Sequence, residues 1–184
     1  MLLGAFSAQA ADFTFDGNIS YHNDVVQIDF TLDNDATDVK VWTDSFMEGL
    51  NFDPITAVWQ QAGSDYALVG QNDDNPSIAP GQTYYDSGLV FDFLAAGTYK
   101  FTIAAYANFA LGSSLSDGFI YGNDTPIPIN QWWTGGDGYW RVHLSGVDDA
   151  NPSPVPEPGT MMLMLAGLGL VGAAGRKRAA QDSI

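Results

Sequence analysis

Val26-Gln27-Ile28-Asp29-Phe30-Thr31-Leu32 decides the fold class. Apolar residues fall at every second position with polar residues between them, the period of a half-buried strand. The same alternation recurs along the chain. Val39, Val41 and Thr43 alternate with Lys40, Trp42 and Asp44, and Trp140, Val142 and Leu144 with Arg141 and His143. Leu89, Phe91 and Phe93 alternate with Val90 and Asp92, and Tyr99, Phe101, Ile103 and Ala105 form a further run. Phe13 and Phe15 begin an earlier one; Asp53-Pro54 opens Ile55 to Gln60; Tyr66 to Val69 follows. Between the runs lie turn formers: Asp33-Asn34-Asp35, Gly63-Ser64-Asp65, Asn72-Asp73-Asp74-Asn75-Pro76 and Ala95-Ala96-Gly97. Asp and Asn bond their own backbone in turns, and Gly supplies positive φ.

Asp outnumbers Glu twenty to two. Glu favours helices whereas Asp favours turns, so the bias agrees with the alternation. The expected fold is all-β, an antiparallel β-sandwich or jelly roll over residues 11–147. Between Asn108 and Trp133 the alternation is lost, and residues 108–133 read as an irregular insertion before the last strand. Residues 148–154, polar and proline-rich, read as a linker.

The chain of 184 residues suits one domain with targeting segments. Up to Val155, three basic residues stand against twenty acidic ones, a formal charge of −17. Nucleic-acid binding is excluded, because phosphate contacts need clustered Lys and Arg. The absence of cysteine excludes disulfides and thiolate metal sites.

Both ends read as targeting segments. Leu2 to Phe6 are apolar and Ala8-Gln9-Ala10 fits the small-x-small cleavage rule, so residues 1–10 read as a truncated signal-peptide remnant. Its cationic start is missing, which points to a start codon placed too late or a cut chain. At the other end, Val155-Pro156-Glu157-Pro158 precedes an uncharged run and then Arg176-Lys177-Arg178. The prolines hold the chain extended for a processing enzyme. As an apolar helix, residues 160–175 span roughly 24 Å, short of a bilayer core of about 30 Å. The basic triplet is a membrane stop at a cytoplasmic end.

The ordered triplet, apolar run and basic stop over residues 155–178 resemble the PEP-CTERM sorting signal of Gram-negative bacteria. The resemblance implies export, transient anchoring in the inner membrane, cleavage near Pro156-Glu157-Pro158 by an exosortase-type membrane transpeptidase, and an extracellular or cell-surface destination. It also implies association with exopolysaccharide and biofilm matrix. A second resemblance covers roughly Phe13 to Asn108. Phe52-Asp53-Pro54-Ile55, Asn72-Asp73-Asp74, Asp86-Ser87 and Leu94-Ala95-Ala96-Gly97-Thr98-Tyr99, in that order, are similar to a group of PEP-CTERM-tailed secreted proteins. Those are similar in turn to bacterial pre-peptidase C-terminal domains, which implies a non-catalytic jelly roll.

Catalytic signals are weak. His22 and His143 lie far apart, and no G-x-S-x-G elbow, H-E-x-x-H or phosphate loop is present. His143, between Val142 and Leu144, reads as a surface histidine. No catalytic residue is assigned, and a secreted hydrolase is the least favoured class. Calcium is the better chemical candidate, since it takes six to eight hard oxygen ligands. Asn72, Asp73 and Asp74 make an oxygen-rich loop that Asp53 is expected to join. The spacing is not that of an EF-hand, and an ordinary Asx-rich turn is the preferred alternative. Carbohydrate is the third candidate. Trp132, Trp133 and Tyr139, with Trp140, and the pair Tyr84-Tyr85 offer rings for sugars, while core filling is the competing use. The expectation is a secreted, non-enzymatic matrix or surface protein, with a calcium-dependent carbohydrate-binding module as the alternative.

Overall fold

The structure is a computed structural model that describes residues 11–134 and 136–153. The strands are β1 (Ala11–Asn18), β2 (Val25–Leu32), β3 (Val39–Thr43), β4 (Pro54–Ala62), β5 (Asp65–Asn72), β6 (Gly88–Phe91), β7 (Gly97–Ala105), β8 (Tyr139–Val147) and β9 (Asp149–Pro152). One sheet runs β1-β8-β3-β6 and the other β5-β4-β7-β2-β9, with every named ladder antiparallel. Without β9, this is the strand order that two Greek keys produce in an eight-stranded jelly roll.

The alternation places the core as expected. Ile28, Phe30 and Leu32 of β2 meet Val39 and Val41 of β3, and Val142 and Leu144 of β8, between the sheets. Tyr99, Phe101 and Ile103 of β7 complete the layer, with Phe30 stacked on Tyr99 at 5.0 Å. Phe93, expected in line with Leu89 and Phe91, lies beyond the end of β6 and is exposed.

Two features depart from the expected plan. The first is β4, which is buried on both faces. Val58 joins the central core, whereas Trp59 and Ala57 belong to the opposite face yet are also buried. Phe119 of the 108–133 segment packs edge-on to Trp59, and Trp59 Nε1 donates to Thr102 Oγ1. The same segment covers the free edge of β5: Leu68 N donates to Ser113 O, and Ala67 bridges Ser114. The insertion is therefore a cover for a sheet face and an edge, which would otherwise invite pairing with other chains.

The second departure corrects the linker. Residues 149–152 form β9, paired with β2 from Ile28↔Pro152 to Thr31↔Asp149. Ala150 is buried, and Ser153 N donates to Gln27 O at 2.8 Å. Asp, Asn and Pro make the segment read as a linker, but an edge strand tolerates all three, and Pro152 stands at its end. The sandwich runs to Ser153.

The connections β1–β2, β3–β4, β5–β6 and β7–β8 all lie at one end of the sandwich, as the registers Asn18↔Tyr139, Pro54↔Ala105, Thr56↔Asn72 and Trp42↔Gly88 require. Gly88 is needed there, since a Cβ would stand 2.6 Å from the Val41 carbonyl oxygen. No helix among the described residues is long and apolar enough to cross a membrane. The signal-peptide remnant at 1–10 and the sorting segment at 155–184, with its apolar helix at 160–175, lie outside the described residues.

Candidate cation site

Asp53 closes the β3–β4 connection immediately before β4. Its backbone is fixed by Tyr106, whose N–H donates to the Asp53 carbonyl at 2.9 Å. Its carboxylate meets the β5–β6 loop. Carboxylate oxygens of Asp53, Asp73 and Asp74 all lie within 4.8 Å of one another. Asp53 is 9% exposed, and its Oδ1 is buried without a hydrogen-bond partner. Asp73 Oδ1 is likewise buried and unpartnered. Buried polar atoms nearly always have a partner, so two such oxygens in one carboxylate cluster are an exception in need of a cause.

Asn72, grouped with these residues in the sequence, has a different position. Its Nδ2 donates to Gly88 O at 3.0 Å and to Asp74 O at 3.3 Å, bracing the loop that carries Asp73 and Asp74. An Asx-rich turn accounts for that brace. It does not account for Asp73, whose buried Oδ1 accepts nothing from the neighbouring backbone.

The electrostatics agree with the geometry. Burial, with the Asp73, Asp74 and Asp86 carboxylates beside it, pushes Asp53 up to about 7. Burial and Asp74 push Asp73 up to about 6, and burial raises Asp74. Among the described residues, no basic side chain relieves this crowding: Lys40 pairs with Asp38, Lys100 with Asp29, and Arg141 with Asp44. Three crowded carboxylates and no nitrogen or sulfur ligand make a donor set for a hard divalent cation.

The other expected groupings fare differently. His143 does face the polar side of its sheet, but it is bound into a network. Thr14 Oγ1 lies 2.9 Å from His143 Nδ1, Asp44 Oδ2 lies 3.0 Å from Nε2, and Trp42 stacks on the ring at 5.0 Å. Arg141 clamps the same Asp44 through two bonds of 2.6 and 2.9 Å. Burial works against ionised Asp44, and Arg141 and His143 overcome it, holding the carboxyl below its usual range. The Trp132 and Trp133 rings meet at 6.2 Å, but the two side chains differ in exposure and Tyr139 stands apart. Trp132 packs against the core, lies tilted against buried His22 with ring centroids 4.2 Å apart and donates its Nε1 to Tyr106 O. Trp133 points outward, 67% exposed, with its ring 5.7 Å from that of Tyr106. Tyr139 starts β8 opposite Asn18, and no aromatic contact joins it to either tryptophan among the described residues.

Asp86 is the residue whose role the sequence did not disclose. It is fully buried and accepts from Thr43 Oγ1, Phe46 N, Thr83 N and Thr83 Oγ1. It knots the β3–β4 and β5–β6 connections together beside the cluster. Only its adjacency to Ser87 at the head of a strand hinted at more than a turn.

No curated protein matches the chain. Residues 154–178 match the model of the PEP-CTERM protein-sorting motif. The chain thus carries a PEP-CTERM signal, which indicates export, transient membrane anchoring, processing by an exosortase and an extracellular or surface destination.

Proposed function

We propose that the sandwich is a non-enzymatic module that binds calcium at Asp53, Asp73 and Asp74 once exosortase processing has released it from the membrane. The observation that carries this reading is the buried, unpartnered Asp53 Oδ1 in contact range of two further carboxylates. A free ion of charge +2 supplies the missing partner, and calcium accepts the irregular, many-oxygen shell that loops provide. Magnesium demands a stricter octahedron and sheds water reluctantly. Both histidines are engaged in packing and hydrogen bonds, which favours a binding role over a catalytic one. The likeness to pre-peptidase C-terminal domains and a place in an exopolysaccharide or biofilm matrix belong to the same reading.

Calorimetric titration of chelator-treated protein with Ca²⁺ tests it. One ion per chain is expected, and Asp53→Asn should abolish binding. Absence of calcium heat from the folded wild-type protein refutes the proposal.

A further inference from the structure

The loops around the cluster carry exposed aromatic rings on both sides. On one side, the Tyr106 amide bonds Asp53, and Trp132 Nε1 and Thr134 Oγ1 both donate to the Tyr106 carbonyl. The exposed Trp133 indole sits between those two residues in sequence, edge-on to the Tyr106 ring. One backbone hydrogen bond and one ring contact therefore connect the cluster to an outward-facing indole. On the other side, buried Asp86, which joins the β3–β4 and β5–β6 connections, accepts from Phe46 N, and exposed Tyr84 and Tyr85 pack against Phe46 at 5.2 and 5.1 Å. The opposite end of the sandwich has no comparable grouping among the described residues; Phe93 alone stands there as an exposed large ring.

The geometry points to a neutral, hydroxyl-rich polysaccharide as the ligand of this end, with a sugar ring stacked on Trp133 and vicinal hydroxyls completing the shell of the cation at Asp53, Asp73 and Asp74. This rests on the calcium reading above. Three protein carboxylates leave several of the six to eight calcium positions for oxygens from outside, and a vicinal diol offers two at once. A ring presents an apolar C–H face to the indole while its hydroxyls remain hydrogen-bonded, the amphipathic match that exposed aromatics provide. Charge selects the class of polymer. One calcium ion leaves the three carboxylates with net negative charge, and the chain up to Val155 carries −17, so polyanionic glycans are repelled.

Affinity electrophoresis and calorimetry of the purified full-length protein decide the matter, with dextran and yeast mannan as neutral probes and hyaluronan as the acidic one. Retention by a neutral polymer is expected with Ca²⁺, lost in chelator, with no retention by hyaluronan. Trp133→Ala should weaken polysaccharide binding by at least about tenfold, as truncation of an aromatic anchor does, while calcium affinity and melting temperature stay unchanged. Trp133→Phe should recover part of the binding. Calcium binding without retention by either neutral polymer, retention indifferent to Trp133→Ala, retention that survives chelation, or preference for hyaluronan each overturns this inference and leaves the cation site standing. Loss of calcium binding itself in the wild-type protein falls on the earlier reading, so the two failures are distinct.

Discussion

Asp53 and Asp86 are buried carboxylates at the same end of the sandwich, and they are treated oppositely: Asp86 accepts four hydrogen bonds, whereas Asp53 Oδ1 accepts none. The difference separates a structural acid from one that awaits an external partner. Asp86→Ala strips the acceptor from Thr43, Phe46 and Thr83 at once, and each buried donor left bare costs about 1–3 kcal/mol. A clear fall in melting temperature is expected with or without calcium. Asp53→Asn in chelator removes a crowded charge and should leave the melting temperature equal or higher. A large loss there would make Asp53 a second structural acid.

The pH dependence of the cation-free protein follows from the same crowding. The folded-state values of Asp53 and Asp73 are raised to about 7 and about 6. Their contribution to stability is present below the unfolded aspartate value of about 3.9 and is lost as pH rises through 6 and 7. Asp44, held low once Arg141 and His143 outweigh its burial, has the opposite sign: its contribution is present above that value and lost as pH falls below it. In chelator, the melting temperature should therefore be higher at pH 5 than at pH 7.5. With saturating calcium the trend should reverse, because protons then compete with the ion. Parallel profiles with and without calcium would disconnect these carboxylates from the ion.

Selectivity separates a built site from charge screening. An ion that binds only the folded state stabilises it by about 2.7 kcal/mol at a hundredfold excess over its dissociation constant. Millimolar Ca²⁺ should raise the melting temperature well beyond Mg²⁺, and the double change Asp73→Asn, Asp74→Asn should erase the difference. Equal shifts with both ions, unmoved by the mutations, would mean that the divalent cations only relieve self-repulsion.

Period-two alternation was enough to read the inward residues of β2, β3 and β8, because one face of each is dry and the other polar. It failed for β4, where Trp59 and Ala57 are buried under residues 108–133, since a second cover leaves no alternation to see. The β9 strand was illegible for a different reason. Its pairing to β2 is a tertiary contact, and Asp149-Ala150-Asn151-Pro152 has the chemistry of a turn. The acidic loop was visible as composition, and its junction with Asp53 was expected. That Asn72 braces and Asp86 knots could not be seen, because hydrogen-bond partners are set by where distant loops meet. The split between inward Trp132 and outward Trp133 arises in a bend and turn rather than a strand, so alternation could not show it.

Processing at the PEP-CTERM motif sets the mass of the exported protein. Cleavage near Pro156-Glu157-Pro158 removes Met161 to Ile184 and keeps Ser153. Intact-mass measurement on secreted material should show that loss, and a mass that retains Arg176, Lys177 and Arg178 would refute cleavage at this site.

The place of β9 just ahead of that cut makes the end of the mature sandwich testable. Ser153 donates its N–H to Gln27 O, and its Oγ donates to Asp29 Oδ2, where Lys100 also binds. Asp148 adds its N–H to Thr31 O and accepts from Asp33 N. A chain ending at Val147 forfeits all of these contacts and the burial of Ala150, and bares the edge of β2. Net hydrogen bonds are worth about 0.5–1.5 kcal/mol each, and ordering a short terminal segment returns part of that sum. A chain of residues 11–153 should unfold cooperatively, whereas residues 11–147 should melt lower and self-associate through the open edge. Melting curves and size-exclusion profiles of the two chains provide the measurement. Identical melting and identical elution would show that β9 adds nothing to the sandwich, and that the fold closes at Val147.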